Sequence, residues 1–314
     1  MSAAQQLLMS LNLFKDPFTW STGSTLTGDE YQFATTTNGA KVFLATTHKY
    51  GTTDTGKLYL SNDYGASWAQ TGASADWSSV SASSDGTKML ASVNNGPLYS
   101  STDGGVTLTA RESARTWRNV LVAPNGSRMF ATPSLTSTPI YISTDNGVTW
   151  TTSSPGGSPS ALSCSSDGML VIVGCSNNAI QRSTDGGVTW TTVLTVASTW
   201  FSSTASSADG SKLYASVNGV GIYRSHNSGA TWTLVSLPVQ WQLSKGLACS
   251  ADGMTVVGVP YSEFVYLSLD AGVSWNKVYQ VKARQACAIS GDGKRVYTAI
   301  RSTNDVVVQR GQRP

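Results

Sequence analysis

Short apolar segments alternate with tight polar turns along the whole chain. Seven times an Asn-Gly or Asp-Gly pair separates two apolar runs, which is the strongest short-range signal of a β-hairpin. These pairs begin at Asn38, Asp85, Asn125, Asp167, Asp209, Asp252 and Asp292. Ser and Thr, which favour strands and turns over long helices, are abundant throughout. The pattern therefore predicts an all-β chain built from repeated hairpins.

A second motif runs out of phase with the first and reads Ser-x-Asp-x-Gly-x-Thr-Trp, with small variations. Its six copies begin at Ser61, Ser101, Ser143, Ser183, Ser225 and Ser268. The copies are 40–43 residues apart, which is the length of a four-stranded propeller blade. The two motifs divide each repeat into strands A to D. In the fourth repeat we expect these strands at Ala161–Cys164, Met169–Cys175, Ala179–Arg182 and Val188–Leu194.

The number of hairpin pairs exceeds the number of second motifs by one. The seventh repeat has strands B and C predicted at Arg295–Ile300 and Val306–Arg310, and no second motif follows them. Near the N-terminus, Phe18-Thr19-Trp20 looks like the end of such a motif. We therefore expect a seven-bladed β-propeller of four-stranded antiparallel blades, in which an N-terminal strand carrying Trp20 completes the last blade. This pairing closes the ring and removes an open sheet edge.

The second motif resembles the Asp-box (bacterial neuraminidase, BNR) repeat. The resemblance implies a turn between strands C and D, on the face opposite the usual binding site. The carboxylate can accept turn N–H groups, the glycine supplies a positive φ angle, and the indole fills space between turn and strands. We expect a structural role for all of them. The acceptors are Asp63, Asp103, Asp145, Asp185, Asn227 and Asp270, and the aromatic residues are Trp68, Trp150, Trp190, Trp232 and Trp275, with Leu108 in the second copy.

Asp-box propellers include sialidases, so an enzyme has to be considered. The resemblance would imply three arginines, a Tyr–Glu pair and an acidic Asp on a six-bladed ring. The early Arg-Ile-Pro motif of that family is absent here, and the neighbours Tyr261 and Glu263 are a weak signal alone. The sequence has no Ser-His-Asp grouping, metal-ligand cluster or phosphate loop. We expect no catalysis, no cofactor and no metal site.

The connections between strands B and C and between successive blades share one face of a propeller, which we call the loop face. Four tryptophans precede strand A in different repeats: Trp77, Trp117, Trp200 and Trp241. They either pack between blades or form a rim of platforms for sugar rings. The same face carries Arg111, Arg115 and Arg118, which could bind carboxylate or sulfate groups or lie solvated. Both interpretations stay open.

Composition narrows the classes of partner. Charged residues make up 12% of the chain and the net charge is +3. This positive charge is too small to predict nucleic-acid binding. No run of 18 apolar residues predicts a membrane span. Residues 1–14 lack the features of a signal peptide and are expected to be a tail or a docking segment before a propeller at 15–314. The four cysteines, Cys164, Cys175, Cys249 and Cys287, are predicted to be buried small hydrophobic residues.

These observations lead to several functional hypotheses. The first is a non-catalytic binding or scaffold propeller, namely a structural or receptor-recognition protein of a virion (phage fibre or decoration type), with a protein partner held through residues 1–14. The alternative is a soluble glycan-binding, lectin-like module. A sialidase-like glycoside hydrolase and a photosystem-type assembly factor are less favoured. We expect a virion or extracellular-facing location, with the cytoplasm as the alternative.

Overall fold

The computed structural model describes residues 18–27, 31–47, 55–134, 139–197, 200–235, 246–260, 264–280, 283–301 and 305–313. They form seven antiparallel sheets of four strands each. The strand bounds are β1 Thr19–Thr27, β2 Tyr31–Thr35, β3 Val42–Thr46, β4 Leu58–Ser61, β5 Ala69–Thr71, β6 Trp77–Ala82, β7 Met89–Val93, β8 Leu98–Ser101, β9 Thr109–Ala110, β10 Trp117–Val122, β11 Met129–Pro133, β12 Ile140–Ser143, β13 Thr151–Ser153, β14 Pro159–Cys164, β15 Val171–Cys175, β16 Ala179–Ser183, β17 Thr191–Thr195, β18 Phe201–Ser206, β19 Leu213–Val217, β20 Gly221–Ser225, β21 Thr233–Val235, β22 Gly246–Cys249, β23 Val256–Val259, β24 Phe264–Ser268, β25 Asn276–Gln280, β26 Ala283–Ile289, β27 Arg295–Arg301 and β28 Asp305–Gln312.

The sheets are the seven blades of a β-propeller, as the sequence predicts. Blades 1 to 6 take four consecutive strands each, β2–β5 through β22–β25, and blade 7 has the order β26-β27-β28-β1. In blade 4 the predicted strands agree with the observed ones to within a few residues, except that strand D starts at Thr191 rather than Val188. The difference arises because the turn before it continues through Trp190.

The N-terminal strand completes the last blade, as expected. Strand β1 pairs antiparallel with β28, with Trp20 opposite Gly311 and Leu26 opposite Val306. Phe18 is buried in a cluster that also contains residues of blades 6 and 7, and the Trp20 ring packs against it. The first and last parts of the described chain are therefore joined by main-chain hydrogen bonds and by a shared hydrophobic core.

Each interface between neighbouring blades contains its own hydrophobic cluster. The seven clusters are formed mainly by strands A, B and C of two adjacent blades. Strand B is the most deeply buried: every residue of β3, β11, β15 and β19 is shielded from solvent. Strands buried on both faces need continuous apolar or small residues, which accounts for runs such as Val171–Cys175.

A closed circle of main-chain hydrogen bonds connects the seven A–B turns. In each turn, the residue before the Asn-Gly or Asp-Gly pair donates its N–H to one neighbouring turn, accepts at its C=O from the other, or does both. The donor–acceptor distances are 2.7–2.9 Å. Pro124 has no N–H, and the next residue, Asn125, donates in its place. The bonds are Thr37–Ser84, Ser84–Pro124, Asn125–Ser166, Ser166–Ala208, Ala208–Ala251, Ala251–Gly291 and Asp292–Thr37, with the N–H donor first.

Closure by β1 gives a first prediction. A variant lacking residues 1–27 loses the outer strand of blade 7 and the burial of Phe18 and Leu26, each worth about 1.5–3 kcal/mol. This is a large share of the roughly 5–15 kcal/mol that stabilises a typical domain. We therefore expect non-cooperative thermal and urea unfolding, restored by a peptide of residues 18–27.

The matched control is a variant lacking residues 1–14, which keeps β1. Its unfolding midpoint should stay close to that of the full chain. A cooperative transition of unchanged midpoint in the variant lacking residues 1–27 would contradict the assigned role of β1.

Candidate functional site

The turns between strands C and D share one geometry and lie with the A–B turns on what we call the box face. In the first turn, Ser61 Oγ donates to the Asp63 carboxylate at 2.7 Å and accepts the Gly65 N–H at 2.8 Å. Asp63 also accepts the Ser67 N–H at 2.8 Å and the Ser67 hydroxyl at 2.5 Å. The other five turns repeat these contacts around Asp103, Asp145, Asp185, Asn227 and Asp270, except that the Asn227 side-chain amide donates to the Thr231 hydroxyl instead of accepting from it.

These hydrogen bonds make the carboxylates poor candidates for acid–base chemistry. Donors on the residue four positions later are the largest cause that lowers the pKa of Asp63, Asp103 and Asp145 from the ordinary 3.8 to about 2. The pKa of Asp185 shifts in the same direction for the same reason. A carboxylate that stays ionised and accepts hydrogen bonds from its own turn stabilises that turn and is a poor general acid or base.

Five of the six turns end in a tryptophan, which is half-buried in each of them. Trp68, Trp150 and Trp275 donate to the carbonyl of the glycine three residues earlier, at 3.1, 3.0 and 3.2 Å. Trp190 donates instead to Ser153 Oγ of the preceding blade at 2.8 Å. Trp232 Nε1 is buried and has no partner within the described residues. Most of the indoles therefore close the turn as well as filling space beside it.

Sequence reasoning missed a set of basic residues on the box face. The third residue after the Asn or Asp of the A–B turn is Lys or Arg in five blades: Lys41, Lys88, Arg128, Lys212 and Arg295. Four of them donate to a backbone carbonyl in the A–B turn of the following blade, at 2.9–3.4 Å. The fixed offset in the repeat was the signal that could have identified them. They bring positive charge to the turn carboxylates and join adjacent blades.

On the loop face, two of the four predicted tryptophans are buried. Trp77 and Trp117 are each 2% exposed, and each packs against a tyrosine of its own blade with ring centroids 5.2 Å apart. Neither presents a face to solvent on which a sugar could stack. Trp200, directly before β18, is 46% exposed. Trp241 lies outside the described residues.

The three predicted arginines have different environments. Arg111 Nε donates to Ser100 Oγ at 2.7 Å, so its side chain follows strand C of blade 2 away from the loop face. Arg115 is exposed and lies over the rings of Tyr141 and Trp117. Arg118 is half-buried at the start of strand A in blade 3. The structure therefore does not bring the three guanidinium groups to one point.

The central channel of the propeller has few side chains that could take part in catalysis. It has a volume of about 300 Å³ and is lined by strand A residues, among them Ser81, Ser163 and Thr204. No charged side chain belongs to this lining as far as the structure describes the chain.

The four cysteines are free thiols. Three of them are buried as predicted, whereas Cys249, at the end of strand A in blade 6, is half-buried. Burial raises the pKa of the Cys164 and Cys287 thiols to about 12. Thiols that stay protonated in this way are poor nucleophiles and poor metal ligands.

The described residues contain no group of three or more His, Cys, Asp or Glu arranged to hold a metal ion. Tyr261 and Glu263, the weak sialidase-like pair, lie outside those residues. Within the same part of the chain, no helix is long and apolar enough to span a bilayer.

The seven four-stranded sheets make this chain a seven-bladed β-propeller, and its recurrent turn has the form of the Asp box. The BNR/Asp-box repeat model matches residues 141–152, which form the third box. Among solved structures, YCF48 from Cyanidioschyzon merolae is similar with 17% identity and a TM-score of 0.67, over 93% of this chain and 98% of that one. No curated protein sequence matches the chain.

Two further solved structures share the fold. YCF48 bound to a D1 peptide has 15% identity and a TM-score of 0.68, over 95% of this chain and 97% of that one. The β-propeller domain of Cps50 (Swd1) from Myceliophteria thermophila has 12% identity and a TM-score of 0.68, with coverage of 91% and 98%. At such identities the likeness concerns the architecture of the ring.

The box carboxylates predict an acid-sensitive fold. Because folding lowers the pKa of Asp145 to about 2 from 3.8, its stabilising contribution is present above pH of about 4 and is lost as the pH falls toward 2. Blade 5 has Asn227 at this position, which cannot ionise in this range. We expect Asn227→Asp to add acid sensitivity and Asp145→Asn to remove some.

The measurement is the thermal midpoint of both variants and the wild type between about pH 2 and pH 6, which spans both pKa values. If the plots of thermal midpoint against pH stay parallel for the wild type and both variants, the box carboxylates are not the cause of the loss of stability in acid.

Proposed function

We propose that this chain is a non-catalytic scaffold propeller that binds a carboxylate-bearing segment of a protein partner on the loop face of blades 2 and 3. The observation that carries the proposal is the exposed Arg115 side chain, which is held in a fixed position on that face. The saturated carboxylates of the box face and the uncharged channel favour binding over catalysis.

Arg115 is held from several directions. Its guanidinium carbon lies 5.0 Å from the Tyr141 ring centroid and 5.9 Å from the Trp117 ring centroid. Its main chain forms a bridge with Gly96, and Nη2 lies 3.3 Å from a Glu112 carboxylate oxygen. An exposed ion pair of this kind contributes little to stability. A partner carboxylate can therefore replace Glu112 at small cost, on a guanidinium that is already ordered.

Arg118 adds a second cation to the same segment. It is half-buried, and burial lowers the pKa of its guanidinium. No hydrogen bond or ion pair of this side chain occurs within the described part of the chain. A partly desolvated charge without a partner is stabilised when an anion binds beside it. The chemistry of this region therefore favours an acidic peptide segment.

The similarity to YCF48 bound to a D1 peptide supports this class of partner. A ring of the same architecture, matched over nearly its whole length, accommodates a peptide in that protein. The partner of the present chain is proposed by its chemistry alone.

A second candidate function is glycan binding, which Trp200 favours. It is the one strongly exposed tryptophan among the described residues, and it lies at the loop face immediately before strand A of blade 5. An exposed indole suits the C–H face of a sugar ring.

The functional proposal is tested by parallel binding to an array of peptides, each with a free or an amidated carboxyl terminus, and to a glycan array. We expect carboxylate-dependent peptide binding that weakens at least about tenfold in Arg115→Gln and Arg118→Gln. Arg224→Gln, on strand C of blade 5, is the matched control and should bind like the wild type.

Peptide binding that is unchanged in both loop-face variants would refute the proposed site. Binding to glycans alone, lost in Trp200→Ala with the fold intact, would replace it by the lectin-like function.

The biological setting that we propose is a virion, in which the chain is a fibre or decoration subunit docked through residues 1–14. The low charge content and the many Ser and Thr residues support this setting. It predicts that purified particles contain the chain, which mass spectrometry of washed virions from the source organism would detect. Particles without the chain, together with the protein in the soluble cell fraction, would contradict it.

A further inference from the structure

The junction between blades 7 and 1 contains a cavity on the box face, remote from Arg115. It has a volume of about 350 Å³, and its lining includes Thr19, Ser21, Tyr64, Arg295, Tyr297 and Arg310. We propose that this cavity binds an oxyanion group, namely a phosphate, a sulfate or a carboxylate. The site goes beyond the proposed partner-binding function and does not depend on it.

The junction differs from the other six because blade 7 has no Asp box. Strand β28 ends and β1 begins at the place where the box would lie, and Gly311 occupies the position of the box serine. The Trp20 ring lies against Gly311, so close that a Cβ atom there would be 3.1 Å from it. On the blade 7 side, the ends of β28 and β1 therefore border the cavity in place of a box turn.

Arg310 illustrates the difference through its counterpart in blade 4. Arg182 also precedes the box-serine position on strand C, and its Nη1 donates to the Ser228 carbonyl in the box of the next blade at 2.9 Å. Arg310 lies beside Gly65 in the first box, with Cδ 3.2 Å from a Cβ built there. Its guanidinium makes no hydrogen bond or ion pair in the described structure, and Nε is buried without a partner.

Arg295 brings a second cation to the cavity. Its Nη1 donates to the Asn38 carbonyl at 2.9 Å, and its guanidinium carbon lies 4.1 Å from the Tyr64 ring centroid. Its Nε is also buried without a partner. Within the described residues, neither Arg295 nor Arg310 forms an ion pair with an acidic side chain.

The lining matches an anion in charge, donor type and size. It contains two guanidinium groups and, within the described part of the chain, no acidic residue. The hydroxyls of Thr19, Ser21 and Tyr64 supply further donors. Two neighbouring cations without a counter-charge repel each other, and a bound oxyanion removes this repulsion and accepts the free N–H groups. A volume at the small end of ligand pockets suits one anionic group with a modest substituent.

The test is isothermal titration calorimetry of the full chain in low-chloride buffer with inorganic phosphate, sulfate and acetate as separate probes. We expect binding of at least one probe, weakened at least about tenfold in Arg310→Gln and in Arg295→Gln. Arg182→Gln and Lys212→Gln change the equivalent positions in blades 4 and 5 and should bind like the wild type. The ranking of phosphate and sulfate against acetate separates tetrahedral anions from carboxylates.

Three results would overturn the proposal: no binding of any probe, binding that persists in both junction variants, or an equal loss in the blade 4 and blade 5 controls. If circular dichroism shows that Arg310→Gln is unfolded, Arg310→Lys takes its place. It keeps the charge but loses the planar pair of donors, and we expect weaker binding of every probe. Arg115→Gln should leave this binding unchanged, which separates the junction site from the loop-face site.

Discussion

The structure depends on closing a ring of seven sheets whose last blade is assembled from both ends of the described chain, with no covalent connection between its neighbouring strands β28 and β1. Two sets of main-chain hydrogen bonds achieve this. One is the ladder between β1 and β28, and the other is the circle that passes through all seven A–B turns. Each bond contributes only about 0.5–1.5 kcal/mol by itself. In a closed ring, however, each bond fixes the distance between two blades whose other neighbours are already in place, so the circle also sets the spacing of the hydrophobic interfaces.

Two kinds of turn secure the blades locally, and both rely on a serine paired with a carboxylate. Ser61 and Asp63 form the pair in the first box, and Ser83 and Asp85 form the corresponding pair in an A–B turn. Ten aspartates in these turns account for more than half of the 18 acidic residues of the chain. The acidic groups are therefore committed to the architecture of one face. Recognition chemistry is then left to cationic and aromatic groups, such as Arg115 on the loop face and the pair Arg295 and Arg310 at the junction of blades 7 and 1.

The sequence predicts the architecture well because the features that encode it are local. The Asn-Gly and Asp-Gly turns, the boxes and the orphan Phe18-Thr19-Trp20 segment identify the blades and the strand that completes the ring. Burial of Trp77 and Trp117 did not follow from spacing, because it is decided by side chains of other strands. The cavity could not be predicted either, since Tyr64 is far in sequence from Arg295 and Arg310 and meets them only after ring closure.

The position of β1 also has a consequence for biosynthesis. Its partner, β28, leaves the ribosome after every other strand of the ring. Six blades can form in the order of translation, but the seventh sheet stays incomplete, and β1 keeps its unpaired backbone, until β28 has been synthesised. During that interval the nascent chain carries an unpaired strand, with which a second copy emerging from the same polysome could pair.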